Sequence, residues 1–126
     1  MKKLLSGIIG LLFCSSALAQ SDFGIVYGPY LQGVTSDEAT VVWVTSGEAV
    51  SWVEIAPDDG SHFYAEQRPQ FFDSKFGRKQ IGNLHKVRIH GLENATSYRY
   101  RIYSREVVSQ QPYFIGYGKT AASNVY

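Results

Sequence analysis

The chain has 126 residues, of which 44% are hydrophobic, 14% aromatic and 18% charged, and its formal net charge is +1. A globular domain usually takes roughly 100–150 residues, so the length leaves room for one domain and little more. Many aromatic residues combined with low charge exclude a disordered chain. No block of like charges is present, so the charge pattern of the sequence does not indicate a nucleic-acid partner.

The first nineteen residues have the three parts of a secretory signal peptide. Lys2 and Lys3 form a positive start, residues 4–12 form an apolar stretch, and Ala17 and Ala19 frame an A-x-A cleavage site. A bilayer span needs about 20 apolar residues, so this stretch is too short to be one. We predict a signal peptide over 1–19, cleavage before Gln20, and export to the periplasm, the cell surface or the medium.

Two other interpretations of the N-terminus are weaker. A lipoprotein signal would end at Cys14, but bulky Phe13 stands where such signals resemble one another in having a small residue. A buried N-terminal helix would not need the order of charge, apolar stretch and small residues.

Removing 19 residues leaves 107, with 10 basic and 11 acidic residues and no cysteine. The mature chain is therefore expected to carry a net charge of −1, with neither disulfides nor cysteine-based zinc sites.

The remaining residues read as a series of strands. No segment has a helical period over ten residues; short β-branched and aromatic runs alternate with turn residues instead. Pro29 implies an edge or a bulge in the first run, Gly47 is expected to break the second, and residues 57–60 are a strong turn signal. The alternating runs predict strands at residues 27–32, 39–45, 50–55, 62–66, 86–90 and 98–103.

Strands at this spacing predict an all-β fold, an antiparallel β-sandwich formed by residues 20–126 as one domain. The tail from Tyr113 to Tyr126 looks loop-like because it contains Gly116 and Gly118. Two alternatives stay open for the final strand. Either residues 113–117 supply it irregularly, or the chain is truncated and lacks it, which would leave an open sheet edge.

Residues 91–102 carry the first family resemblance. Leu92, Thr96 and Tyr98 match the fibronectin type III signature, with Asn94 where that family usually has proline. The resemblance implies an immunoglobulin-like sandwich with a tyrosine corner, in which the leucine plugs the core and the tyrosine hydroxyl bonds to upstream backbone. Trp43, at an inward-alternating position, is expected to supply the core aromatic between the sheets.

A narrower resemblance lies nearer the N-terminus. The sequence GPYLQ at residues 28–32, followed by ATVVWVT at 39–45, resembles the N-terminal domain of bacterial purple acid phosphatase-like metallophosphoesterases. In that family a fibronectin type III-like domain precedes a calcineurin-like catalytic domain. The resemblance implies that phosphomonoester hydrolysis, and a two-metal site with iron, zinc or manganese, would reside in such a catalytic domain, absent from this chain.

The sequence shows none of the motifs that hold those metals. In the family, several motifs supply the metal ligands. Carboxylates bridge the two cations, and imidazoles complete the coordination shells of these cations. Residues 82–85 come nearest to one of these metal-binding motifs, but Leu84 replaces the histidine that should follow Asn83. His85 and His90 would face opposite sides of one extended run. We therefore expect no catalytic residue, metal ligand or cofactor in this chain.

Two sets of side chains are candidates for an interface. Arg99 and Arg101 project from outward-facing positions, as a solvated sheet face or as a docking surface for a neighbouring domain. Aromatic rings stack on sugars or pack at interfaces, which singles out Tyr113, Phe114 and Tyr117, although core positions would suit them equally. These residues support two functional hypotheses. In neither does the protein bind nucleic acid, or a membrane once the signal peptide is cleaved.

The first hypothesis is an exported, non-catalytic accessory domain that packs against a metallophosphoesterase domain, which is C-terminal to it or separate. The second is a free-standing secreted module that binds a glycan or a protein through Tyr113, Phe114 and Tyr117.

Overall fold

The structure, a computed structural model, describes residues 22–126, so the predicted signal peptide lies outside the described residues. Every regular element in 22–126 is a β-strand, and every pairing is antiparallel. Within this range no helix is long and apolar enough to cross a membrane. The strands are β1 Ile25–Gln32, β2 Ala39–Pro57, β3 Gln70–Phe72, β4 Ser74–Lys75, β5 Arg78–Lys79, β6 Gly82–Ile89, β7 Tyr98–Gln111 and β8 Phe114–Ala122.

Strand β2 contributes to both layers of the sandwich. Its first half lies between β1 and β6, and its second half lies between β3 and β7, with β8 beyond β7. We call β1, the first half of β2 and β6 the first layer, and β3, the second half of β2, β7 and β8 the second layer. The predicted break at Gly47 is wrong. The Thr45 hydroxyl donates to the Gly47 carbonyl at 2.7 Å, and the backbone stays extended while the pairing with β6 shifts register between Val44 and Ala49.

The hydrophobic core lies between the two layers. Because alternate residues of a strand point to one face, each strand presents every second side chain to the interior. The predicted alternation in β6 and β7 is confirmed, since Val87, Ile89 and Ile102 are buried while Lys86 and Arg88 are exposed. Full burial of a large aliphatic side chain contributes about 1.5–3 kcal/mol. The central cluster is Val41, Trp43, Val53, Ile55, Val87, Ile89 and Ile102.

The final strand is present. Strand β8 pairs with β7 along Phe114–Ala122, so the alternative of a missing last strand is wrong, as is the loop-like interpretation of the tail. The irregularity expected of this strand takes the form of two register shifts on β7, on either side of Val107. The glycines that look like loop residues instead leave room for neighbouring side chains, because a β-carbon at Gly116 or Gly118 would collide with Ser109 or Glu106 on β7.

The predicted strand at residues 62–66 is wrong. This segment is a turn, closed by the Ala65 amide, which donates to the His62 carbonyl at 2.9 Å. Phe63 is buried between exposed His62 and Tyr64, and this arrangement produces the alternating pattern without a strand partner. Buried Arg68 holds the turn in place, because its Nε donates to the Phe63 carbonyl.

Candidate interaction surfaces

The predicted tyrosine corner residues lie at the turn before β7. The Tyr98 hydroxyl accepts a hydrogen bond from the Glu93 amide at 2.8 Å, which is the bond to upstream backbone that the resemblance implies. Leu92 is half-buried and packs against the core. The Thr96 hydroxyl donates to the Asn94 carbonyl at 3.1 Å and is exposed. The three residues thus fix the turn that leads into β7.

Trp43 occupies the interior, as expected from its alternation. Its ring is fully buried, and the ring centroid lies 5.5 Å from that of His85. The indole Nε1 donates to the hydroxyl of Ser104 at 2.8 Å, and that hydroxyl also lies 2.7 Å from the hydroxyl of Ser51. Trp43 therefore joins the first layer to a small polar contact inside the second.

The candidate aromatic residues lie on the β7–β8 hairpin. Tyr113 is 100% exposed, Phe114 is 63% exposed and Tyr117 is 38% exposed, so they lie outside the core of the described residues. The guanidinium of Arg105 lies over the Tyr117 ring at 4.2 Å from its centroid. We define the hairpin tip as the exposed apolar residues of this hairpin, which are Val108, Tyr113, Phe114, Ile115 and Tyr117.

The candidate arginines are half-buried and bonded to backbone. Arg99 donates to the carbonyls of Pro57 at 3.0 Å and Ser61 at 2.7 Å. Arg101 donates to the Ser123 carbonyl at 2.8 Å. At about 3.3 Å per residue, the six to ten residues of β7 between Arg101 and the partners of Tyr117 and Phe114 place it roughly 20–30 Å from the hairpin tip. The arginines and the aromatic residues therefore do not form one site.

The three histidines are spread over different parts of the sandwich. His85 is fully buried, with Nε2 at 2.8 Å from the Thr45 hydroxyl and Nδ1 at 3.8 Å from an oxygen of Asp73. His90 is exposed on the opposite side of β6, and His62 accepts a hydrogen bond from the Tyr64 amide. Among residues 22–126, no group of three or more His, Cys, Asp or Glu side chains could hold a metal ion.

A buried carboxylate lies on the outer face of the second layer, and the sequence reasoning missed it. Glu54 is 9% exposed and accepts hydrogen bonds from Tyr64 at 2.8 Å, Gln70 at 3.0 Å and Trp52 at 3.1 Å. Burial raises the pKa of Tyr64, and its bond to the Glu54 carboxylate raises that pKa further. The available signal was a glutamate within an apolar strand, two residues after a tryptophan. Alternation alone does not show that the turn after β2 covers this face.

A positively charged cleft is a second feature that the sequence reasoning missed. Its volume is about 470 Å³, and one wall is formed by the outward residues of β6. The alternation in β6 indicated that these residues share a face, but not that β3 lies beside them. We call it the basic cleft, and its lining residues are Gln70, Phe71, Phe72, Ser74, Lys86, Arg88 and His90.

The chain matches a known family of protein domains. A family model described as "Purple acid Phosphatase, N-terminal domain" matches residues 29–115, which is well over half of the chain. The matched range begins within β1, includes all of β2 to β7 and ends at the start of β8. No curated protein and no solved structure matches the chain.

Proposed function

Because the chain belongs to the family of the purple acid phosphatase N-terminal domain, we propose that it is the non-catalytic accessory domain of an exported purple acid phosphatase-like metallophosphoesterase. The observation that carries the proposal is the match over residues 29–115, which covers most of the sandwich. Phosphomonoester hydrolysis, and the two metal ions that the family implies, are assigned to a calcineurin-like catalytic domain. Among residues 22–126, the acidic and histidine side chains are not grouped to hold such metal ions.

Export is part of this proposal and rests on the three-part N-terminus. We expect the protein purified from the periplasm or the medium to begin at Gln20. N-terminal sequencing or intact-mass measurement checks this. A protein retained in the cytoplasm with residues 1–19 still attached would contradict export.

The hairpin tip is the surface that we assign to the catalytic domain. Five exposed large apolar side chains lie there, among them the fully exposed Tyr113, and aromatic residues are enriched at the centres of protein interfaces. Burying Tyr113 and Phe114 on a neighbouring domain would remove the most exposed apolar surface of this hairpin from water.

The activity part of the proposal is tested on the purified chain. We expect no hydrolysis of p-nitrophenyl phosphate after addition of iron, zinc or manganese, because the chemistry is assigned to the catalytic domain. A metallophosphatase of known activity, assayed in the same buffers, serves as the positive control. Metal-dependent turnover by this chain would overturn the non-catalytic assignment.

The packing part of the proposal is tested on a two-domain protein. It needs a reading frame that joins this chain to Asp, His and Asn metal motifs within the following ~200 residues, about the length of one domain. In that protein, Tyr113→Ser combined with Phe114→Ser should lower the thermal midpoint of the catalytic domain. Phe76→Ser is the matched control, because Phe76 is 94% exposed on the separate β4–β5 hairpin. Equal effects of the two changes would contradict docking through the hairpin tip.

Complete exposure of Tyr113 also favours a second candidate, a free-standing secreted module that binds a glycan or a protein. A free aromatic face can stack on a sugar ring. Binding on a glycan array that is lost when Tyr113 and Tyr117 are changed to alanine would favour this module. Absence of glycan binding, together with the metal motifs downstream, would favour the accessory domain.

A further inference from the structure

The wall of the basic cleft along β6 is a regular row of two cationic side chains, continued by a histidine directly after the strand. Lys86, Arg88 and His90 are exposed and occupy alternate positions, while the residues between them, Val87 and Ile89, enter the core. Alternate residues of a strand are about 6.6 Å apart, so the row extends over about 13 Å. The strand therefore displays the two cations along one side of the cleft, with the imidazole of His90 beyond them.

The β4–β5 hairpin adds a second set of positive charges beside this row. It carries Lys75, Arg78 and Lys79, and the ammonium of Lys79 lies 4.2 Å from the ring centroid of Phe72, which lines the cleft. Lys75 and Lys86 together line an adjoining groove of about 280 Å³ that shares Ser74 with the cleft. The cleft and this groove thus form one continuous positive surface.

One carboxylate neutralises one of the two cations of the row, and Lys86 and the cations of the hairpin have no such partner in the described residues. Glu38 pairs with Arg88 at 2.6 Å. Across residues 22–126, no other carboxylate oxygen lies within 4.0 Å of a charged nitrogen in the row or the hairpin. Asp73 lines the adjoining groove, but its side chain is only 13% exposed and faces His85. The cleft lining contains hydrogen-bond donors and no carboxylate, so it complements a negatively charged ligand.

We propose that the basic cleft and its adjoining groove bind a linear acidic polysaccharide that carries sulfate or carboxylate groups along its length. Positive charges spread along the cleft and the groove, at Lys75, Lys79 and Lys86, suit a polymer with repeated acidic groups better than a single small anion. A local concentration of positive side chains attracts polyanions whatever the net charge of the whole chain. The proposal does not depend on the catalytic or docking assignments made above.

The aromatic rings of the cleft favour a polysaccharide over a single-stranded nucleic acid. Sequence-tolerant binding of single strands relies on aromatic faces on which bases stack. Here the ring of Phe72 packs against Lys79 and against Trp52, whose centroid is 5.6 Å away. The ring of Phe71 meets His90 edge-on at 5.2 Å. These neighbours occupy the rings, so recognition in the cleft depends on charge.

The test uses heparin as the probe and the full chain as the protein. Heparin affinity is measured at low salt and again as sodium chloride is raised, for the unchanged protein and for two double variants. Lys79→Gln with Lys86→Gln removes two charges from the surface. Arg105→Gln with Lys119→Gln is the matched control, because it removes two charges from β7 and β8 instead.

We expect the cleft double variant to bind heparin at least about tenfold more weakly, since it loses two charge contacts with the polyanion and the counterions that they release. The control should remain within about twofold, and binding should weaken steeply with salt, as charge-driven association does. Uncharged dextran should not bind.

Three results would overturn the proposal. They are no retention on heparin at low salt, equal weakening by the two double variants, or tighter binding to a single-stranded DNA oligonucleotide than to heparin of equal charge. The last result would assign the cleft to nucleic acid instead.

Discussion

The indole nitrogen of Trp43 donates a hydrogen bond to the hydroxyl of Ser104 across the interior, from the first layer of the sandwich to the second, at 2.8 Å. Both residues are fully buried, and sixty-one positions of sequence separate them. A buried donor without an acceptor is costly, so this bond makes the largest core residue depend on one serine of β7.

Ser104→Ala should therefore destabilise the protein. It leaves the indole N–H of Trp43 buried without an acceptor, which costs about 1–3 kcal/mol in the free energy of unfolding. Urea unfolding followed by circular dichroism measures the change. Because Ser104 also contacts Ser51, the single substitution removes two interactions. A double-mutant cycle with Trp43→Phe separates them, and a coupling energy near zero would contradict the assigned role of the bond.

Tyr98→Phe isolates the hydroxyl of the tyrosine corner. The ring remains against the core, but the Glu93 amide loses its acceptor, so the free energy of unfolding should fall by about 0.5–1.5 kcal/mol. Tyr113→Phe is the matched control, because its ring is fully exposed and a surface change of this kind stays within about 0.5 kcal/mol. Equal stability of the two variants would show that the corner bond contributes nothing.

Gly28 is required both by its backbone and by its surroundings. Its φ is +87°, and a β-carbon there would lie 2.8 Å from the Val42 carbonyl oxygen and 3.0 Å from the Trp43 β-carbon. Those neighbours are part of the fully buried centre of β2 and cannot move freely. Gly28→Ala should cost more than about 2 kcal/mol in the free energy of unfolding, from strain and overpacking together.

Gly33→Ala is the control for this effect. Gly33 also has a positive φ, +60°, but nothing lies within 4 Å of a β-carbon built there. Its substitution should cost only the backbone strain, about 1–2 kcal/mol. Thermal and urea unfolding of both variants give the comparison. If Gly33→Ala is as destabilising as Gly28→Ala, close packing at Gly28 is not the cause.

The ion pair between Glu38 and Arg88 should make a small part of the stability depend on pH. The hydrogen bond from Arg88 lowers the pKa of Glu38 below its ordinary value of 4.5. A lowered pKa in the folded state means that the contribution is complete above the ordinary value. It is lost as the pH falls through the lowered folded-state pKa.

Glu38→Gln should accordingly be less stable than the unchanged protein near pH 7, with the difference shrinking as the pH falls well below 4.5. Glu48→Gln is the control, because Glu48 is exposed and forms no ion pair in the described part of the chain. Unfolding measured at a series of pH values checks both variants. A difference that grows in acid would contradict the sign of this argument.

Local sequence pattern was sufficient for the family, for the all-β antiparallel class and for the face of most strands. The pattern predicts Trp43 on an inward face and Tyr98 in a tyrosine corner; in the structure Trp43 is fully buried and the Tyr98 hydroxyl accepts from the Glu93 amide. These features depend on properties that are written along the chain: a period of two in hydrophobicity and a short spacing of Leu92, Thr96 and Tyr98.

Other features depend on which distant segments lie beside each other, and local pattern does not carry that information. Strand β8 contains two glycines and looks like a loop until β7 lies beside it and supplies its hydrogen bonds and side chains. Residues 62–66 alternate like a strand, yet no strand pairs with them in the structure. Arg101 occupies an outward position but reaches the carbonyl of Ser123, twenty-two residues further on.

The basic cleft is the clearest example of this difference between what local pattern shows and what tertiary contacts decide. The sequence reveals that Lys86, Arg88 and His90 share a face, and also that its net charge is only +1. A near-zero total was a poor guide to the surface, because charge attraction depends on local spacing and total charge ignores position. Tertiary contacts bring β3 and the β4–β5 hairpin beside β6, and this placement adds Lys75 and Lys79 to the surface that Lys86 and Arg88 line.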